Sequence, residues 1–143
     1  MAGKGDVFEN DLLKLIFNAT AIANIADNAS ASPLTNLYVS LHTADPTDAG
    51  NQTSSEATYT GYARVAVART SGGWTVSANS VVPVAAITFG ACTAGSSTVT
   101  HFAIGTAASG TGKILYAGSV SPSITVTTGI TPQLTTSTTI TED

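Results

Sequence analysis

Residues 37–42 read LYVSLH, and this short stretch decides the fold class. Leu37, Val39 and Leu41 alternate with more polar residues, which is the period-two pattern of a β-strand with one buried face. Similar runs of β-branched and aromatic residues recur along the chain between Gly, Pro and Ser punctuation. They predict further strands over residues 61–69, 74–77, 81–89, 99–104, 113–120, 124–127 and 134–141.

One segment has helical rather than strand periodicity, and it spans residues 7–23. Phe8, Leu12, Leu15, Ile16 and Ala19 recur at spacings of three and four, so they predict an apolar stripe along one helix face. We expect this helix to lie across a sheet. The alternative is an arm that grips a neighbouring subunit.

About seven or eight short strands separated by turns are typical of an all-β protein and not of a fold that alternates strands with helices. We therefore predict one domain over residues 1–143, with the N-terminal α-helix and strands within 36–141. Its architecture is a β-sandwich, a jelly-roll-like fold or a barrel. Periodicity leaves the choice among these three open.

The composition favours a protein that is covered by partners. Only 10% of the 143 residues are charged, against about 25% in ordinary globular proteins. A chain rich in Thr and Val is unlike a disordered one, and a weakly charged surface suits permanent assembly. The five Lys and Arg residues are scattered, which excludes the basic patch that nucleic-acid binding requires.

The sequence predicts neither a signal peptide nor a membrane-spanning segment. Residues 1–8 lack the apolar run of a signal peptide, and no stretch of about 18 apolar residues predicts a membrane span. The single Cys92 excludes an internal disulfide framework and fits assembly in a reducing cytosol. We expect neither a membrane nor a nucleic acid among the partners.

The side chains that could carry chemistry are few. His42 lies opposite the apolar face of its strand, His101 neighbours Phe102, and nothing near Cys92 suggests an activated thiolate. We interpret the histidines as satisfied or surface residues and Cys92 as a small buried residue. No catalytic residue is predicted, and a small hydrolase or sugar-binding module is the weakest alternative.

Residues 45–60 form a long polar loop that offers oxygen ligands from Asp45, Asp48, Asn51 and Glu56. Their spacing does not match an EF-hand loop, so we predict no metal site and no cofactor. A loop of this length is either mobile or ordered by contact with something else.

Two adjoining blocks resemble the signature of a widespread family of small tailed-phage proteins: LYVSLHTADPTDAG at 37–50 and GYARVAV at 61–67. The helix at 9–17, AITF at 86–89, VTHFAI at 99–104 and LYAG at 115–118 follow in the family's order. The chain departs from the pattern in its Thr-rich C-terminus and in a shorter region over 73–82. Members are usually labelled tail fibre or minor capsid proteins, and the family offers no catalytic residues.

The resemblance implies a structural component of the virion. We expect a capsid cement or decoration protein that binds the major capsid protein on the outside of the shell as a dimer or trimer. A tail or tail-fibre component is the alternative. The polar loop, the helix and the Thr-rich tail are the expected contact regions, and deletion after Leu134 is expected to leave the domain folded. The candidate interface residues are Phe8, Leu12, Asp45, Asp48, Glu56, Arg64, Arg69, Leu134 and Ile140.

Overall fold

The computed structural model describes residues 6–22, 25–26 and 33–142. Within these residues it contains one α-helix and nine β-strands, which confirms the all-β class with an N-terminal helix. The elements are α1 (Asp6–Asn18), β1 (Asn36–His42), β2 (Val65–Ala68), β3 (Trp74–Ser77), β4 (Ser80–Pro83), β5 (Ile87–Thr88), β6 (Ser96–Gly105), β7 (Ile114–Thr127), β8 (Gln133–Leu134) and β9 (Ile140–Thr141).

The chain divides into two compact units. The helical unit comprises residues 1–36, 68–86 and 135–143, and the sheet unit comprises residues 37–67 and 87–134. A four-stranded sheet runs in the order β2-β1-β6-β7, a three-stranded sheet in the order β3-β4-β9, and β5 pairs with β8. The single domain over 1–143 stays a prediction.

In the helical unit, α1 buries a different face from the one predicted. Glu9, Leu13 and Phe17 are the buried residues, whereas the predicted stripe that starts at Phe8 and Leu12 is at most half-buried. The buried face is shifted by one residue because the helix packs against Trp74. The ring of Phe17 lies edge-on to the buried ring of Trp74, with ring centroids 4.9 Å apart. The predicted stripe is therefore wrong by one position.

The helix also ends earlier than residue 23. It stops at Asn18, because Ala19 adopts a left-handed conformation with φ 54° and the Thr20 amide bonds back to the Lys14 carbonyl at 3.1 Å. A left-handed residue is a common helix terminator. Predicted residues 19–22 are thus not helical, and residue 23 lies outside the described residues.

Arg69 satisfies the free carbonyls at this helix end. Its guanidinium donates hydrogen bonds to the carbonyls of Leu15 and Ile16, both at 2.5 Å, and to that of Leu34 at 3.1 Å. A cation is favourable at a helix C-terminus because the last carbonyls are unpaired and carry partial negative charge. The structure therefore gives this predicted interface residue a role inside the chain.

The Thr-rich C-terminus is not one strand, so the predicted strand over 134–141 is wrong. Leu134 pairs with Ile87 in the sheet unit, and Ile140 pairs with Val81 in the helical unit. Residues 135–139 lie between β8 and β9 and include a turn in which the Thr138 amide bonds to the Thr135 carbonyl. The predicted strand over 81–89 divides in the same way into β4 and β5.

Truncation after Leu134 is expected to destabilise the protein by at least about 2 kcal/mol, because it removes the buried side chain of Ile140. It also removes the two hydrogen bonds between Asn79 and Glu142. Urea unfolding of the full chain and of the truncated chain measures the loss. Thr136→Ala, at an exposed position, is the control and should change little. A truncated chain as stable as this control would contradict the assignment of β9.

In the sheet unit, β1 is buried on both faces near its end. Leu37, Val39 and Leu41 are buried as predicted, but Ser40 and His42 on the other face are buried as well. The loop after β1 folds back over this face, since the Thr43 amide bonds to the Ser55 carbonyl at 2.8 Å. The chain itself thus orders the loop that was expected to be mobile or held by something else.

The remaining strands differ from prediction mainly in length. β2 covers only 65–68 of the predicted 61–69, and β6 is longer than the predicted 99–104. β7 joins two predicted strands into one of 14 residues. A shift of register between Val99 and His101 of β6 accommodates the extra residues of β7.

Candidate functional site

The sheet unit contains a largely buried ion pair between Glu56 and Arg64. Arg64 Nε lies 2.7 Å from Glu56 Oε1 and Arg64 Nη2 lies 2.8 Å from Glu56 Oε2, so the carboxylate is held by both arms of the guanidinium. The side chains of Arg64 and Glu56 are 3% and 16% exposed. The hydrogen bonds to Glu56 raise the pKa of Arg64. Two-point geometry and low exposure make this pair stronger than an ordinary surface ion pair.

Tyr62 completes the environment of Glu56. Its hydroxyl donates to Glu56 Oε1 at 2.9 Å and accepts the Leu41 amide of β1 at 3.0 Å. Burial raises the pKa of Tyr62 well above its ordinary value, so the hydroxyl stays protonated and remains a donor. Tyr62 and Arg64 are two residues apart and both bind Glu56.

Arg64 also ties this pair to the turn that connects β6 and β7. Nη1 donates to the Ala107 carbonyl at 3.0 Å, and Nη2 donates to the Gly110 carbonyl at 2.8 Å. One side chain therefore links the loop after β1 to the connection between β6 and β7, in which Gly110 and Gly112 lie.

Gln52 joins the same two segments from the other side. Its amide nitrogen donates to the Tyr38 carbonyl at 3.1 Å, and its Oε1 accepts the Ala107 amide at 3.0 Å. The backbone amide of Gln52 bonds to the Gly112 carbonyl at 3.0 Å. Its side chain is fully buried, and all its bonds hold the backbone of the chain. We call Gln52, Glu56, Tyr62 and Arg64 the polar anchor.

His42 is a buried and fully bonded histidine. Its Nδ1 lies 2.8 Å from the Ser54 carbonyl and its Nε2 lies 2.9 Å from Ser40 Oγ. A carbonyl only accepts, so Nδ1 carries the proton and Nε2 of the neutral ring accepts from the serine. Burial lowers the pKa of His42 below its ordinary value, which favours this neutral form.

Stability should therefore fall as the pH drops below about 6.5, the ordinary pKa of histidine. Below this pH the unfolded chain binds a proton at His42, whereas the folded chain, in which the pKa of His42 is lower, does not. The free energy of unfolding is therefore unaffected above this pH and decreases as the pH falls towards the pKa of His42 in the folded chain. The uptake of one proton on unfolding changes the free energy of unfolding by at most about 1.4 kcal/mol per pH unit. Denaturant unfolding from pH 7.5 to 5 measures the slope, which His42→Gln should reduce. The wild-type slope is the reference, and an unchanged slope in His42→Gln would contradict the prediction.

Among the described residues, two of the three reactive side chains considered from sequence, His42 and Cys92, are buried. His42 and His101 are opposite one another on β1 and β6, but His42 and Ser40 are wholly buried. Cys92 is buried, as expected, with its sulfur near the carbonyls of Ala94 and Gly95. Across the described ranges no three His, Cys, Asp or Glu side chains gather where they could hold a metal ion.

A polar cleft of about 420 Å³ lies beside the first residues of β7. One wall is the loop segment 45–50, and the other is the start of β7 with the residue before it. We call it the β7 cleft. It is lined by Asp45, Thr47, Asp48, Gly50, Lys113, Ile114, Leu115, Tyr116 and Ala117.

Of the predicted interface residues, the structure pairs Glu56 with Arg64 and places Asp45 and Asp48 in one cleft. Phe8 is 39% exposed and Leu12 is half-buried on α1, while Asp45 and Asp48 are exposed in the β7 cleft. The other five are engaged within the chain, and an intermolecular role for any of the nine stays a prediction. Those five are Glu56 and Arg64 in the ion pair, Arg69 at the helix end, and Leu134 and Ile140 in buried strand positions.

Sequence reasoning missed Gln52, Tyr62 and Lys113. The spacing of Tyr62 and Arg64 was a usable signal, because residues two apart in an extended chain share a side and can bind one carboxylate. Gln52 gave no such signal, since a polar residue in a polar loop is ordinarily exposed.

Comparison with known proteins identifies the family of the chain. A family model described as "Podophage GP4 fiber I protein gp80" matches residues 4–141. A comparison with curated proteins found no match. The helix in the described part of the chain is too short and too polar to cross a membrane. Because the family model covers nearly the whole sequence, the chain belongs to this family of small tailed-phage virion proteins, which is labelled as a fibre protein.

Proposed function

We propose that the chain is a fibre subunit of a tailed-phage virion and acts through lasting contacts with other virion proteins. The observation that carries this proposal is the fibre-family match over residues 4–141. The site supports it, because the polar anchor binds backbone and side chains of its own chain and leaves no group aimed at a substrate.

A role without catalysis fits the environment of the nucleophilic side chains. Ser40, His42 and Cys92 are each at most 1% exposed, so a substrate has no access to them. An enzyme needs its nucleophile and base within reach of the reacting atoms. The free thiol of Cys92 also suits assembly in the reducing cytoplasm of the host before the particle is released.

A capsid cement or decoration protein bound to the major capsid protein is the second candidate. It is favoured by the absence of the features of an elongated shaft. The described part of the chain has a helix of only 13 residues, and the sequence shows no repeat of the kind that builds a fibre stalk. In either role we propose that the chain forms homo-oligomers on the outside of the particle.

Gold-labelled antibody against the chain, applied to purified particles, tests the proposal by electron microscopy. We expect label on fibres and none on the head. Label confined to the head surface would overturn the fibre assignment and support the cement protein. Particles that carry no label, although the same antibody detects the purified chain, would count against both candidates.

A further inference from the structure

Residues 53–57 of the loop after β1 fold back over the end of that strand, and we call them the covering segment. The Ala57 amide bonds to the Leu41 carbonyl at 2.8 Å. His42 is wholly buried at this point, and its Nδ1 donates to the Ser54 carbonyl at 2.8 Å. A histidine therefore takes part in holding the covering segment on the sheet.

His42 and His101 share one face of the four-stranded sheet. They are directly opposite each other in the antiparallel pairing of β1 with β6, and side chains in such positions are neighbours. Two like charges in this arrangement are destabilising. The guanidinium of Arg64 also lies close enough to disfavour a positive charge on His42. Proton uptake by the histidines therefore gathers positive charge on this face.

Among the described residues, the carboxylate that acts on His42 is that of Glu56 in the covering segment. It is already bound, because Oε1 accepts from Arg64 Nε at 2.7 Å and Oε2 accepts from Arg64 Nη2 at 2.8 Å. The Tyr62 hydroxyl, which also donates to Oε1, is neutral. The charge of Glu56 thus compensates Arg64 and leaves a proton on His42 without an anion of its own.

The closed segment offers a second proton on His42 only a poor acceptor. Nε2 accepts from Ser40 Oγ at 2.9 Å, so a proton on Nε2 requires the serine hydroxyl to turn and donate elsewhere. The carbonyl within reach of that hydroxyl, that of Ala103, lies 3.4 Å away, which is long for a hydrogen bond. A buried charge with poor hydrogen bonds is costly, whereas an open segment lets water solvate it.

The covering segment is strained and lies outside the regular strand pairing. Ser55 has φ 54°, a left-handed conformation that a residue with a side chain adopts at a cost. The segment meets β1 through an isolated bridge between His42 and Glu56, whereas residues 38–42 of β1 pair continuously with β6. Opening of the segment relieves the strain at Ser55 and leaves the sheet paired.

We propose that His42 and His101 make the covering segment a pH-sensitive latch. The segment is closed at neutral pH, and below about pH 6 proton uptake opens it while β1 stays paired with β6. Opening brings Glu56 and Arg64 into solvent and so changes the surface that the chain presents to other proteins. The inference goes beyond the proposed function and does not depend on it.

Hydrogen exchange of the full chain at pH 7.5 and pH 5.0, corrected for intrinsic rates, tests the latch. The opening constants of the Thr43 and Ala57 amides, which close the segment, should rise at least about fivefold, towards a limit of about thirtyfold for one histidine. The rise should depend little on low concentrations of urea, because local opening exposes little surface. The Val84 and Glu142 amides are the internal control, since the helical unit contains neither histidine, and they should change less than about twofold.

The double variant His42→Gln and His101→Gln identifies the sensor. It should abolish the rise at Thr43 and Ala57, and circular dichroism checks its fold. A rise that survives in the folded double variant would overturn the proposal. In the wild-type chain, equal opening constants at the two pH values would overturn it, and so would amides that open only with the urea dependence of global unfolding. The wild-type measurement decides by itself if the double variant does not fold.

Discussion

Glu56→Gln is expected to lower the free energy of unfolding by about 2–4 kcal/mol. Breaking a buried ion pair leaves the remaining charge without compensation, and here that charge is the guanidinium of Arg64, whose side chain is 3% exposed. The carboxylate also accepts from Tyr62, so its charge supports three hydrogen bonds. Urea unfolding monitored by fluorescence measures the loss.

The exposed Asp48→Asn removes the same charge without a buried partner and should cost less than about 0.5 kcal/mol. A double-mutant cycle with Arg64→Gln separates the pair from its surroundings, and we expect the two losses to be strongly non-additive. If Glu56→Gln were as mild as Asp48→Asn, the polar anchor would not be a source of stability.

Gly105→Ala is expected to cost about 2–3 kcal/mol by overpacking the polar anchor. A Cβ at this position would lie 2.2 Å from Cδ of Gln52, a side chain that is fully buried and bonded at both ends. Gln52 cannot move aside without losing its hydrogen bonds to the backbone of Tyr38 and Ala107. Thermal and urea unfolding of the variant measure the cost.

Gly72→Ala is the matched control, because a Cβ there meets its nearest heavy atom at 3.5 Å, an ordinary contact. Gln52→Ala in the Gly105→Ala background should remove the clash, so the double variant is expected to lose less than the sum of the single losses. Additive losses in the double variant would show that Gln52 does not occupy the space beside Gly105.

The all-β class was predictable because strand periodicity depends on neighbouring residues alone. Leu37, Val39 and Leu41 alternate, and they are buried as this pattern requires. The buried face of α1 was not predictable in the same way. Two adjacent faces of the helix carry large apolar residues, and the position of Trp74 selected the one that contains Phe17. A tertiary contact decided between local patterns of similar strength.

The polar anchor shows a second limit of sequence reasoning. Glu56 and Arg64 were interpreted as residues that face a partner, because charged residues in a loop and at a strand are ordinarily exposed. Their burial arises because the loop after β1 folds back onto the sheet, a closure that periodicity does not describe. The two signature blocks at 37–50 and 61–67 contribute to this closure through Gly50, Tyr62 and Arg64.

The central claim is that the chain serves as a multi-copy structural part of the virion. Quantitative mass spectrometry of purified, nuclease-treated particles tests it most directly, with the major capsid protein as the internal standard. The account predicts that the chain co-purifies with infectious particles at several copies per particle and in a constant ratio. Its absence from particles, while it remains abundant in the infected-cell lysate, would contradict the account.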